Sequence, residues 1–94
     1  MFIPDQRLKI SHSVSWTEIN EEVFVFSESD RNIYVLRGAE RVIWEMINKR
    51  SPLSYIAHIM QTNENIHKNK TMEIIARFKE RQIVQEDEKQ SESF

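Results

Sequence analysis

The stretch RNIYVLRGAERVIWEMI, residues 31–47, changes its apolar rhythm halfway along. Up to Leu36 the alternation of large β-formers fits a strand. From Gly38 the apolar residues Ala39, Val42, Ile43, Met46 and Ile47 recur at i, i+3, i+4, i+7 and i+8, which is one stripe of a helix ending near Arg50. A strand that runs straight into an amphipathic helix is the hinge on which the rest of the chain is read.

Upstream, VSWTEI (residues 14–19) is rich in β-branched and aromatic residues, and Asn20 with Glu21 forms a turn into EVFVFSE (22–28). Ser29 and Asp30 are turn formers through side-chain-to-backbone hydrogen bonds, and NIYVLR follows as a third run. Connections this short permit only antiparallel pairing, so the three runs predict a meander. Downstream, Ser51 is placed to cap a second helix with Pro52 at its first position, and Leu53, Ile56, Ala57 and Met60 make its buried stripe. Polar QTNEN (61–65) interrupts the pattern. A third helix falls within Ile66 to Gln82, with Thr71, Ile74, Ile75 and Phe78 on one face, and Ile83 with Val84 as a short packed extension. The expected class is therefore α+β, a winged helix-turn-helix-like arrangement of a three-stranded antiparallel meander followed by three helices. Residues 1–85 are expected to form one domain. The tail QEDEKQSESF is too polar to offset its ordering entropy, and 86–94 is expected to be a mobile acidic tail.

Ninety-four residues suffice for one modest core. The chain has no cysteine, which excludes disulfides, a thiolate nucleophile and a cysteine zinc site and fits a reducing cytoplasm. Its N-terminus reaches Pro4 and Asp5 too early for a signal h-region, and no apolar run approaches the roughly 20 residues of a membrane span, so a cytoplasmic protein away from membranes is expected. His12, His58 and His67 have no helical pair spacing for a metal. No serine sits in a G-x-S-x-G turn, and the single glycine excludes phosphate loops. Glu45 beside Trp44 is more simply a solvated helical carboxylate than a catalytic acid. No catalytic residue, cofactor site or metal site is therefore expected. Trp16, Trp44, Phe24, Phe26, Tyr34 and Phe78 default to core.

The net charge of −2 argues against a dedicated nucleic-acid binder, yet residues 66–82 carry five lysines and arginines against two carboxylates. On a helical projection Lys70, Arg77 and Arg81 border one side of the apolar stripe, and Lys68 and Lys79 with Met72 border the other. Long cationic stems covering the helix's own core explain this pattern; so does a helix that receives a partner with apolar and acidic side chains.

The order VSWTEINEEVFVFSESDRNIYVL, then GAERVIWEMI, resembles the PqqD-like family, the small winged-helix proteins also called RiPP recognition elements. The similarity spans about residues 12–85. Its most specific part is Tyr34-x-Leu36, then Gly38-Ala39, then Ile43-Trp44-Glu45. SPLSYIAHIM resembles the second helix of the family and IIARFKERQIV its third. Gln82 stands where a glycine is usual, and NKRSP lacks the Asp-Gly often found between the first two helices.

The resemblance implies a non-catalytic binder of the leader segment of a ribosomally made precursor peptide, serving a separate modifying enzyme or leader protease, with lasso-peptide assembly the favoured setting. The leader would add as a strand to the edge formed by Arg31, Asn32, Ile33, Tyr34, Val35 and Leu36, against the third helix at Lys70, Ile74, Arg77, Phe78 and Arg81. The basic stripe would select acidic leader residues, and the apolar seam would take an anchoring side chain. Main-chain pairing at an exposed edge gives affinity, and side-chain pockets give register. An exposed edge also makes a monomer or weak dimer the expectation. The alternative is a winged-helix DNA-binding protein, supported by Lys68, Lys70, Arg77, Lys79 and Arg81, and opposed by the net acidity and by Glu28 and Asp30 at the tip of the wing.

Overall fold

A computed structural model describes residues 6–87. The meander consists of β2 (Val14–Ile19), β3 (Glu22–Ser27) and β4 (Asn32–Leu36) in the order β2-β3-β4, all antiparallel. Asn20 and Glu21 both adopt left-handed backbone angles, φ 52° and 66°. That is the signature of a two-residue type I′ loop, whose twist matches the strands it joins. At the second hairpin Arg31 takes φ 62°, and the Asp30 carboxylate accepts from the Asn32 N–H at 3.1 Å. The strand period directs Val23, Val25, Ser27 and Leu36 into the core, while Phe26, Ile33 and Val35 lie on the outer face.

Gly38 sits at φ 63°, ψ −130°, a conformation open to glycine, and this permits the turn from β4 into α1 (Ala39–Asn48). The helix buries Ile43, Trp44 and Ile47. Trp44 is held edge-on between Trp16 and Phe78, with both ring centroids 5.9 Å away. Helix α2 (Leu53–Asn63) begins differently from the sequence expectation: Pro52 is its N-cap residue, and Ser51 supplies no side-chain cap. The free N–H of Leu53 donates instead to the Gln6 carbonyl at 2.9 Å, so chain from the N-terminal end does the capping. Asn20, Glu21 and the Ser29-Asp30 turn lie where expected, but the QTNEN segment does not break α2 at Met60, because three further residues continue the helix. Helix α3 (Lys68–Glu80) starts at His67, whose Nδ1 accepts from the Asn69 N–H at 3.0 Å. Its buried residues Thr71, Ile74, Ile75 and Phe78 are those of the predicted stripe.

Two strands not foreseen complete the molecule. β1 (Leu8–Ile10) pairs antiparallel with β5 (Val84–Glu86), joining the two ends of the domain. Leu8 is fully buried, and Arg50 holds the Asp87 carboxylate at 2.7 Å. The folded part thus runs through Glu86 and Asp87, two residues beyond the expected boundary; the remainder of the expected tail lies outside the described residues. Of the six aromatics expected in the core, Trp44 and Phe78 are fully buried and Tyr34 packs half-buried against it; Trp16 at the free side of β2 and Phe26 on the outer sheet face are 37% and 38% exposed, and Phe24, on that same outer face, is only partly covered. A three-stranded sheet with helices on one face leaves its other face without a covering layer among the described residues.

Candidate functional site at the open edge of β4

The hydrogen-bonding parity of β4 follows from the two hairpins. In a two-residue type I′ hairpin the flanking residues, here Ile19 and Glu22, form a hydrogen-bonded pair. The Glu28 N–H donates to the Ser13 carbonyl at 2.9 Å, which continues the same parity to the other end of the pair. Alternation then directs the N–H and C=O of Glu22, Phe24 and Phe26 toward β2, and those of Val23, Val25 and Ser27 toward β4. The register pairs Val23 with Leu36, Val25 with Tyr34 and Ser27 with Asn32. Asn32, Tyr34 and Leu36 therefore turn their backbone groups inward. Ile33 and Val35 present theirs to the outer edge, where no strand pairs among the described residues.

Side chains and backbone groups thus sort the predicted edge residues into two sets. Ile33 and Val35 are exposed at 65% and 37%. Leu36 is fully buried, and Tyr34 lies half-buried on the helix side of the sheet. The Tyr34 O–H donates to the Asp30 carboxylate at 2.7 Å. This bond is the main reason the Asp30 carboxyl is held below its ordinary value of 3.8 and the Tyr34 phenol above its ordinary 10.0. Across the ring lies the Arg81 guanidinium, 4.7 Å from the ring centre, so the C-terminal end of α3 stands beside the middle of β4.

The other predicted α3 residues divide similarly. Ile74 and Phe78 belong to the core cluster and underlie the site. Arg77 is paired with Glu40 of α1 at 3.1 Å. Lys70 pairs with Glu73 within its own helix at 3.5 Å, with both side chains mostly in solvent. Arg31 is exposed at the start of β4. Sequence reasoning passed over Asp30 as an anchor for Tyr34, although the four-residue separation across a tight turn carries that signal. It also passed over Glu40 as the partner of Arg77; at 37 residues' separation nothing in the pattern links them.

Two open depressions mark the surface, one on α3 and one on the sheet. One of about 540 Å³ runs along Glu73, Ala76, Arg77, Lys79 and Glu80, all from α3, and so has a wall on one side only. The other, about 320 Å³, is apolar and lies on the outer sheet face at Ser15, Thr17, Phe24, Phe26 and Ile33. Among the described residues no group of three or more His, Asp or Glu side chains could hold a metal ion, and no helix is long and apolar enough to cross a membrane.

The geometry defines a small α+β domain of winged helix-turn-helix type, with a strand edge that no other strand pairs among the described residues set beside its third helix. A solved structure of the same fold is TbiB1 in complex with the TbiA(beta) leader peptide. It matches with a TM-score of 0.72 over 82% of this chain and 94% of that chain, at 14% sequence identity. At that identity the likeness is one of fold. No family model and no curated protein matches the chain.

Proposed function

We propose that this protein binds the leader segment of a ribosomally synthesised precursor peptide. The leader adds as an antiparallel strand to the outer edge of β4, beside α3, and is delivered to a separate maturation enzyme or leader protease; the chain itself does no chemistry. The observation that carries this reading is the pair Ile33 and Val35. Their backbone donors and acceptors face an open edge, in a fold similar to that of TbiB1 in its leader-peptide complex. Strand addition needs that arrangement, because main-chain pairing supplies affinity while alternate side chains read the sequence. The DNA-binding alternative is less well supported. Two of its five cations, Lys70 and Arg77, are engaged by Glu73 and Glu40, and the hairpin that would act as a wing carries Glu28 and Asp30.

Affinity capture from the native host, with the bound peptide identified by mass spectrometry and its binding segment mapped by hydrogen exchange, tests the proposal. Protection of Ile33 and Val35 amides by a precursor leader is expected. A captured leader that protects none of residues 31–37 would refute strand addition at β4. Processing of the precursor by the purified chain alone would refute the non-catalytic role.

A further inference from the structure

We infer that Arg81, stacked on Tyr34, is the residue that selects charge in the bound peptide, and that it selects an acidic side chain at the peptide position directly opposite Tyr34. The inference rests on strand addition at β4 and adds to it a register and a chemical preference.

The register follows from parity. An incoming antiparallel strand exchanges hydrogen bonds with Ile33 and Val35, which leaves Tyr34 in the non-hydrogen-bonded pair between them. In such pairs the Cα atoms approach to about 4.5 Å and the side chains are closest. Opposed residues share a face of the sheet, and the Tyr34 side chain is on the helix side. The peptide side chain opposite Tyr34 therefore points toward α3 and meets the tyrosine ring together with whatever lies over it. What lies over it is the Arg81 guanidinium, 4.7 Å from the ring centre.

Charge accounting singles out the same residue. Of the five cations between residues 66 and 82, Lys70 pairs with Glu73 in solvent and Arg77 pairs with Glu40 of α1. Lys79 is on the outward face of α3, and Lys68 adjoins Ala57, His58 and Gln61 of α2, away from β4. Arg81 forms no ion pair among the described residues, and its contact is with an aromatic face. A guanidinium on a ring keeps its edge donors available for a carboxylate, with the planar fork suited to bidentate binding. The platform itself is fixed, because the bond to Asp30 holds the far end of the ring at 2.7 Å. The strand supplies position, the ring supplies orientation and the arginine supplies the sign.

A yeast-displayed library of random 12-residue peptides, selected separately against the full chain and against its Arg81→Glu and Arg81→Gln variants, tests this. Binding of the selected peptides to Ile33→Pro is the control for edge dependence, and circular dichroism verifies that each variant is folded. The expected result is an enriched Asp or Glu at one position of edge-dependent peptides. That preference is lost with Arg81→Gln and replaced by Lys or Arg with Arg81→Glu, and exchanging Glu for Lys in a selected peptide changes affinity about five-fold in opposite directions for the two charge states, the scale of a solvent-accessible ion pair. Edge-dependent peptides with no acidic preference, or with one that survives in both variants, overturn the inference and leave strand addition standing. If no selected peptide depends on the β4 edge, strand addition fails and the inference fails with it.

Discussion

Replacing single backbone amides of β4 by esters distinguishes binding from folding within one strand. An ester at residue 33 or 35 deletes an N–H that faces the open edge, whereas one at residue 34 deletes the N–H directed at the Val25 carbonyl within the sheet. A net hydrogen bond contributes about 0.5–1.5 kcal/mol, so the double ester at Ile33 and Val35 should weaken leader binding by about 1–3 kcal/mol, roughly 5- to 150-fold in Kd. The same esters make the preceding carbonyls of Asn32 and Tyr34 poorer acceptors for β3. These are retained rather than lost, and about 1 kcal/mol or less of stability should go with them. The Tyr34 ester leaves a buried carbonyl facing an ester oxygen. That costs about 1–3 kcal/mol, and in a domain of this size each kcal/mol lowers Tm by about 4–8 °C. Semisynthesis gives the three proteins; calorimetry gives Tm, and fluorescence anisotropy with the labelled leader captured from the host gives Kd. An Ile33/Val35 diester that binds within two-fold of the parent would refute addition to this edge. A Tyr34 ester with unchanged Tm, beside an Ile33 ester with a large loss, would refute the assigned parity.

Other parts of the molecule give independent expectations. Gly38→Ala should destabilise by about 1–3 kcal/mol through backbone strain alone, since a Cβ there would meet nothing within 4 Å while φ is +63°; denaturant unfolding measures it. In a Tyr55→Phe background, where Tyr34 is the one remaining tyrosine, its phenol should ionise above 10.0, and Asp30→Asn should bring it down, read by tyrosinate absorbance. The linked stability has a defined window. The raised tyrosine contributes fully below pH 10.0 and fades as pH climbs through its folded value, and the depressed Asp30 contributes above 3.8 and fades as pH falls through its folded value. The hydrogen bond should accordingly leave stability flat between about pH 5 and 9. Arg50→Met should cost about 1–3 kcal/mol, less than for a fully buried pair because Arg50 is half in solvent while Asp87 is 7% exposed; an unchanged unfolding midpoint would exclude a stabilising role for the terminal clasp.

Whatever depends on near neighbours in the chain was legible from the residues alone. Alternation and the Asn20-Glu21 and Ser29-Asp30 turns gave the meander, because connections of two to four residues allow one way of pairing. Gly38 marked the change from strand to helix, since glycine takes those backbone angles without the strain another residue would carry. The helical period from Ala39 pointed to Ile43 and Ile47, though not to Trp44, and that from Thr71 to the buried face of α3; the expected nearness of β4 to the third helix is seen where Arg81 lies over Tyr34. Tertiary structure decided whatever joins residues far apart in the chain. Three-residue strands such as Leu8–Ile10 and Val84–Glu86 carry too little pattern to be read alone and form because each pairs with the other across the whole domain. At the N-terminal end of α2 the Leu53 N–H is satisfied by the Gln6 carbonyl rather than by the adjacent Ser51, since the segment leading into β1 brings a backbone acceptor to that place. A helical projection counts cations without seeing their partners; Glu40 reaches Arg77 because α1 packs against α3, while Arg81 is left over Tyr34. The parity of β4 is likewise absent from its own five residues. It is inherited through β3 from the geometry of the first hairpin, which is why Ile33 and Val35, rather than Asn32 and Tyr34, hold the open hydrogen bonds.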